Sequence, residues 1–266
     1  MNIISFSVWG NDPFYVKGIK ENIDLAKEYY PGWKCKIYYD SSFDVTAIPE
    51  NVRKEAIFEY IPVSRGKWDG LFWRFYPASD PNVNILIVRD LDSRLNSREA
   101  AAVNEWLSGP YDFHGMRDHI QHNVRIMGGM WGCRNKVLAN MVDLINNWKD
   151  FDSKGTDQNF LSERVWPHIR DKCVFHDRYS KNLYITPDNE HFTQDDIAYY
   201  NPFNNCGAEN DTNFPLGKIV FKNDKTFRRE VVYEYIPNKL FGYHNIMPFP
   251  PHEPMKHGTC VGDYVK

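Results

Sequence analysis

The sequence has no run of 18 or more consecutive apolar residues, so nothing in it reads as a membrane span. It has no excess of positive charge. The 32 Lys and Arg against 35 Asp and Glu give a formal net charge of -3, which provides no broad electropositive field and argues against nucleic acid as a main partner. It has five cysteines in 266 residues; Cys35, Cys133, Cys173, Cys206 and Cys260 are widely separated and never form a Cys-x-x-Cys pair. Neither a structural zinc site nor a disulfide framework is implied, and the thiols read as reduced ones in a cytoplasmic setting. No basic leader precedes the first apolar stretch, so no secretion signal is expected. Asn210-Asp211-Thr212 fits a glycosylation sequon, but without a secretory route it reads as a polar turn. No internal repeat is visible.

What is present is apolar and aromatic side chain, 42% and 15% of residues, ample for the core of one large or two small domains. Residues 3–8 read as a strand. Tyr15, Ile19, Ile23, Ala26 and Tyr30 then recur at helical spacing up to Pro31-Gly32, and residues 34–39 form a second strand. That is a βαβ opening. A third strand is expected at 58–63, a short helix at 69–76 and a central strand at 85–88. Asn96 with Glu99 forms a capping box for a helix whose Ala100, Val103 and Leu107 face the core.

Strands are expected again at 113–116 and 172–175, and another apolar piece lies at 126–131. Between that piece and the strand at 172–175 lie a helix carrying Val137, Leu138, Met141, Leu144, Ile145 and Trp148 on one face, and a shorter one opened by Thr156-Asp157-Gln158 and ended by Pro167. Strands alternating with helices imply an α/β fold with a doubly wound, mostly parallel sheet. Beyond Ser180 the pattern deteriorates, with strands expected only at 218–221 and 229–236. The expected organisation is a sheet domain over 1–180 and an irregular C-terminal elaboration over 181–266 packed on it.

The central strand runs straight into Asp90-Leu91-Asp92. Two carboxylates one residue apart at a strand end lie where open α/β sheets bind ligands, and they can grip a divalent cation. The alternative is that they cap the helix beginning near Asn96, or pair with Arg89 and Arg94. Carboxylates so close repel each other unless a cation is shared. Metal-assisted chemistry on a phosphate-bearing substrate is therefore expected.

A strand ending in Asp-x-Asp, preceded by the Arg-bearing Phe72-Trp73-Arg74-Phe75 and followed by Gly128-Gly129, Asp157-Gln158 and a later His176, resembles the GT-A fold of nucleotide-sugar-dependent glycosyltransferases over residues 1–180. The resemblance implies a Mn²⁺ (or Mg²⁺) site at Asp90 and Asp92, with Asp92 the direct ligand and Asp90 touching ribose or metal-bound water. It implies His176 as a further metal ligand, with His244, His252 and His257 as competitors. It implies a nucleotide-sugar donor, UDP-linked, and a carbohydrate or glycoconjugate acceptor.

Ser7, Trp9 and the Asp40-Ser41 loop would hold the nucleoside, Trp9 against the base, and Arg74 would neutralise a phosphate. Met116-Arg117-Asp118-His119, Gly128-Gly129 and Asp157-Gln158 would wall the sugar pocket, with Asp157 and Asp118 as the catalytic carboxylates. The motif order is similar to the retaining, glycogenin-like type; Gly-Gly-Met-Trp departs from the Asn-Ala-Gly usual there, so the donor sugar stays open. The aromatic tail with Phe241, Tyr243, Phe249 and His252 would close over the acceptor. Two alternatives stand beside this reading. One is a non-catalytic nucleotide-sugar-binding protein on the same scaffold. The other is a haloacid-dehalogenase-type phosphatase, whose nucleophile loop Asp90-Leu91-Asp92 superficially resembles; Arg94 stands where that motif carries Thr or Val.

Overall fold

The computed structural model describes residues 1–117, 124–170, 172–177, 215–221 and 229–235. Strand β1 (Asn2–Val8) is buried along nearly its whole length and leads to helix α1 (Pro13–Tyr29). That helix starts where it does because Asp12 accepts the Phe14 N–H at 2.9 Å and Pro13 occupies the first turn, where no backbone donor is needed. It stops before Gly32, whose φ of 84° reverses the chain into β2 (Lys34–Tyr39). After the short α2 (Glu50–Arg53) come β3 (Ile57–Tyr60), α3 (Gly70–Trp73), β4 (Ile85–Arg89), α4 (Ser97–Ser108), β5 (Phe113–Arg117) and β6 (Met130–Arg134). Helices α5 (Met141–Asn146), α6 (Thr156–Phe160) and α7 (Trp166–Ile169) precede β7 (Cys173–Asp177), β8 (Pro215–Phe221) and β9 (Arg229–Tyr235).

The nine strands of the described residues form one open sheet in the order β3-β2-β1-β4-β6-β5-β7-β8-β9. Its first seven strands pair in parallel except where β6 runs antiparallel between β4 and β5, so the α/β, mostly parallel, doubly wound expectation holds. The last two strands continue the sheet antiparallel to β7. Period-two alternation sends side chains to two cores. Ile4, Phe6, Val8, Ile37 and Ile87 pack with Ile19, Ile23, Val103 and Trp106 of α1 and α4. On the opposite face Ile3, Leu86, Val88, Phe113 and Trp131 pack with Phe72, Met141, Ile145, Phe160 and Trp166. The cysteines within the described residues, Cys35, Cys133 and Cys173, are buried free thiols. No helix among those residues is long and apolar enough to cross a membrane.

Several boundaries differ from expectation. Of the apolar piece 126–131 only Met130 and Trp131 lie in a strand, because Gly128-Gly129 forms a turn ahead of it. The helix expected to carry 137–148 contains only Met141–Asn146; Lys136, with φ 74°, breaks the pattern upstream. Pro167 does not end the helix at 156. A π-turn over Leu161–Val165 restarts it, and Pro167 occupies the first turn of α7, where its missing N–H costs nothing. The capping box is half formed. Asn96 accepts the Glu99 N–H at 3.0 Å, but the Glu99 carboxylate turns to Arg89.

That ion pair is interior: Arg89 Nε meets Glu99 Oε2 at 3.0 Å, and Arg89 Nη1 donates to the carbonyls of Val88 at 2.8 Å and Trp131 at 3.2 Å. Glu99→Ala should lower stability in urea by about 3–5 kcal/mol, because it leaves a buried guanidinium without its carboxylate. Replacing Arg89 and Glu99 together by Met and Leu should cost clearly less.

Candidate active site

The site is built where β4 ends. Both arginines that could have neutralised Asp90 and Asp92 are engaged elsewhere, Arg89 with Glu99 and Arg94 with Glu21, and α4 is capped by Asn96. The aspartates are therefore left to the crevice. Their loop is pinned from behind. Asn22 Nδ2 donates to the Ser93 carbonyl at 2.9 Å and Asn22 Oδ1 accepts the Leu95 N–H at 3.0 Å, while Arg94 Nη1 donates to the Leu91 and Ser93 carbonyls at 2.7 and 2.9 Å.

Arg74 reaches the same place from α3. Phe72, Trp73 and Phe75 are buried around it, Trp73 Nε1 donates to Asp69 at 3.0 Å, and the Arg74 N–H donates to Ser7 Oγ at 3.0 Å. Its guanidinium, itself buried, holds Asp90 through Nη1 and Asp157 through Nη2, the latter at 3.0 Å. Asp157 is brought in by α6, whose preceding Gly155 turns the chain at φ 79°.

Because β6 runs antiparallel to β4, with Met130 opposite Arg89, the Gly128-Gly129 turn arrives beside Asp90. A side chain there is impossible without displacement: a Cβ on Gly129 would overlap the Asp90 carboxylate, and one on Gly128 the Asp157 carboxylate. The glycines thus serve two carboxylates that lie on their backbone.

Two carboxylates meet one guanidinium with Asp92 close by, and the titration of Asp92 and Asp157 records the imbalance. Although Asp92 keeps solvent contact as a residue, crowding of its carboxyl by surrounding protein, then the neighbouring Asp90 charge, push it up to about 6, with Arg74 and the Tyr15 hydroxyl pulling the other way. Burial also raises Asp157 above the ordinary carboxylate range, less than it would without Arg74. Burial would depress the Arg74 guanidinium, but Asp90 and Asp157 hold it above its usual value.

Among the described residues no cluster of three or more His, Cys, Asp or Glu side chains is arranged to hold a metal ion. Asp90 and Asp92 could supply two carboxylates. That suits a hard divalent cation whose shell is completed by phosphates and water, and the surplus negative charge fits one.

Of the residues expected at the site, Arg74, Asp90, Asp157, Gly128 and Gly129 are brought into contact, and Asp92 lies next to them. Ser7 touches the group through the Arg74 backbone. Gln158 is the residue after Asp157 and gives it a backbone hydrogen bond. Trp9 is engaged in an aromatic cluster, edge-on to Trp68 and Trp73 at 6.4 and 6.2 Å, above Gly70. His176 is not brought to the aspartates. It is fully buried on β7, three strands from β4 or on the order of 14 Å, where its Nδ1 meets His114 Nε2 at 2.8 Å and its Nε2 meets Glu105 at 2.7 Å. Asp118, His119, His244, His252 and His257 lie outside the described residues, as do Phe241, Tyr243 and Phe249. Sequence reasoning missed Tyr15, whose hydroxyl lies 3.4 Å from Asp92 Oδ2, and Asn22; their shared face with Gly18 at helical spacing was the available signal.

No family model matches the chain, and no curated protein does. Solved structures similar to it include a glycosyltransferase involved in the glycosylation of the major capsid of PBCV-1, at 17% identity, TM-score 0.46, covering 68% of this chain and 84% of that one. Another is the mannosyltransferase PcManGT from Pyrobaculum calidifontis in complex with GDP-Man and Mn²⁺, at 13% identity, TM-score 0.44, covering 67% of this chain and 55% of that one. A third is a putative glucose-1-phosphate thymidylyltransferase from Bacillus anthracis in complex with a sucrose, at 10% identity, TM-score 0.44, covering 66% and 86%. The chain thus spans little more than half the length of the mannosyltransferase. Likeness of this degree assigns neither activity nor ligand.

Because the Asp92 carboxyl is raised, its neutral form is favoured on folding, and that stabilisation is present below about pH 4 and lost as pH rises through about 6. Asp92→Asn should therefore melt higher than the wild type at pH 7, by on the order of 1 kcal/mol after allowance for solvent at this exposed side chain. The difference should vanish at pH 4 in paired thermal melts.

Proposed function

We propose that the chain is a metal-dependent glycosyltransferase of the GT-A type, moving a sugar from a nucleoside diphosphate to a carbohydrate or glycoconjugate acceptor. The observation that carries this reading is the pairing of Asp90 and Asp157 with the guanidinium of Arg74 at the end of β4, with Asp92 beside them, a site with surplus negative charge where an open α/β sheet binds its ligands. Such a site calls for a divalent cation, and a cation held by only two carboxylates calls for phosphate ligands in turn. A nucleoside diphosphate meets both needs. UDP is the donor nucleotide implied by the family resemblance.

In this reading Asp92, the exposed member of the pair, is the direct metal ligand. Asp90, held by Arg74 and set against Gly129, orients the donor's ribose or metal-bound water. When bound, the cation would act as a Lewis acid for the leaving diphosphate. Arg74 lies within reach of the same charge and would stabilise it as the glycosidic bond breaks. Asp157 and Gln158 would bind sugar hydroxyls, for which a carboxylate and an amide provide paired hydrogen bonds. Asp157, buried and fixed by Arg74, would in this reading stabilise positive charge on the sugar during transfer with retention. Asp118 is carried with it as the second candidate from the motif order. Residues 1–180 would form the catalytic domain and 181–266 the acceptor-side elaboration.

Thermal melts with UDP, GDP, dTDP and CMP, each with and without Mn²⁺, test the reading. One nucleotide at 100 times its dissociation constant should raise the melting temperature by about 5 to 10 °C, only with metal present, and Asp92→Ala should abolish the shift. No shift with any nucleotide, or one indifferent to metal, would sink the proposal. Gly129→Ala should also lose the metal-dependent shift, because its methyl group displaces the Asp90 carboxylate; a variant that binds UDP and Mn²⁺ like the wild type would disprove that role.

A further inference from the structure

One stripe of α1 touches the Asp90–Leu95 loop at three points. Tyr15, Gly18 and Asn22 stand three and four residues apart and so share a helix face. Asn22, buried, bonds the Ser93 carbonyl and the Leu95 N–H. Gly18 lies so close beneath the Leu91 carbonyl that a Cβ would collide with it. Tyr15 lies one turn nearer the helix N-terminus, its hydroxyl 3.4 Å from Asp92 Oδ2. The first two contacts fix where the helix lies against the loop, and that placement delivers the third.

We propose that Tyr15 is a positioning residue for Asp92, its hydroxyl setting the orientation in which that carboxylate meets a divalent cation. This rests on the metal-dependent reading above. The phenol suits the role chemically. An ordinary phenol is neutral, and so a hydrogen-bond donor, throughout the neutral range. The carboxylate has a second oxygen for the cation. The partner Asp90 needs no such help, since Arg74 and the Gly129 backbone already confine it. Asp92 has the Tyr15 hydroxyl. At 3.4 Å the contact is longer than a settled O–H···O bond, which puts its expected effect at the low end for groups that orient metal ligands.

The test is Mn²⁺ binding to the full chain with saturating UDP, followed by electron paramagnetic resonance, in the wild type, Tyr15→Phe and Phe14→Leu. Phe14 shares the exposed first turn with Tyr15, its ring 6.0 Å away. Tyr15→Phe keeps the ring and should leave the melting temperature unchanged. It should weaken Mn²⁺ binding by about tenfold and alter the line shape of the bound ion, while Phe14→Leu changes neither. Wild-type affinity and line shape in Tyr15→Phe would overturn the proposal. Equal weakening by Phe14→Leu would also overturn it, because the effect would then belong to the turn and not to the hydroxyl. If the wild type with UDP binds no Mn²⁺, the metal-dependent reading falls, and this inference falls with it.

Discussion

The Arg74 guanidinium, buried between Asp90 and Asp157, is the interaction on which the arrangement of this molecule turns. A buried guanidinium is tolerable only when it is paired and hydrogen-bonded. Here the partners come from chain segments far apart in sequence, 16 residues ahead for Asp90 and 83 for Asp157. The end of β4 and the start of α6 are thereby held to one point on α3, and Ser7 ties that point to β1 through the Arg74 backbone. Truncating Arg74 would strand Asp157, which is buried, as an uncompensated carboxylate.

The sheet topology makes that convergence possible. Had β6 run parallel to β4, the segment preceding it would lie at the opposite edge of the sheet. Running antiparallel, it brings the Gly128-Gly129 turn to the C-terminal end of β4, where two carboxylates require a backbone without side chains. On the other face, α1 performs a comparable service through Gly18 and Asn22, which hold the loop after β4 from behind. Backbone contact in both cases replaces side-chain bulk, and the acidic pair is confined between them.

What the sequence made legible was local. The apolar run 85–88 followed by two acids located the site, and the period-3.6 pattern of α1 with its Asp12 and Gly32 boundaries located the first crossover. Arg74 was legible as a charge near the site, but not as the partner of Asp157, because no local pattern encodes a contact across 83 residues. Gly128-Gly129 was recognised as a place of close approach, with a ligand as the visitor in place of the Asp90 and Asp157 carboxylates that the structure puts there. His176 shows a further limit. Motif order gives a residue's place along a strand, but period-two alternation and strand order decide its surroundings, here Glu105 and His114 under α4. Helix limits failed where tertiary contacts overrode pattern, as at the π-turn that lets Pro167 sit inside a continuing helical segment.

The two aspartates of the Asp-x-Asp tripeptide are not equivalent, and the asymmetry follows from their neighbours. Asp90 Oδ1 faces Arg74 and its Oδ2 lies against the Gly129 backbone, so both oxygens are oriented by protein. Asp92 keeps solvent contact, has the distant Tyr15 hydroxyl as its side-chain partner among the described residues, and carries the raised affinity for a proton. Desolvation and the Asp90 charge outweigh Arg74 at its distance, and a divalent cation, where one binds as proposed, would offset them more fully. In the proposed metal-dependent reading, proton and cation would compete for Asp92, and that competition would set the lower pH limit of the metal-dependent step. In the same reading, phosphates and water would complete a shell that holds two protein carboxylates, which would couple occupation by metal to occupation by a phosphate-bearing partner.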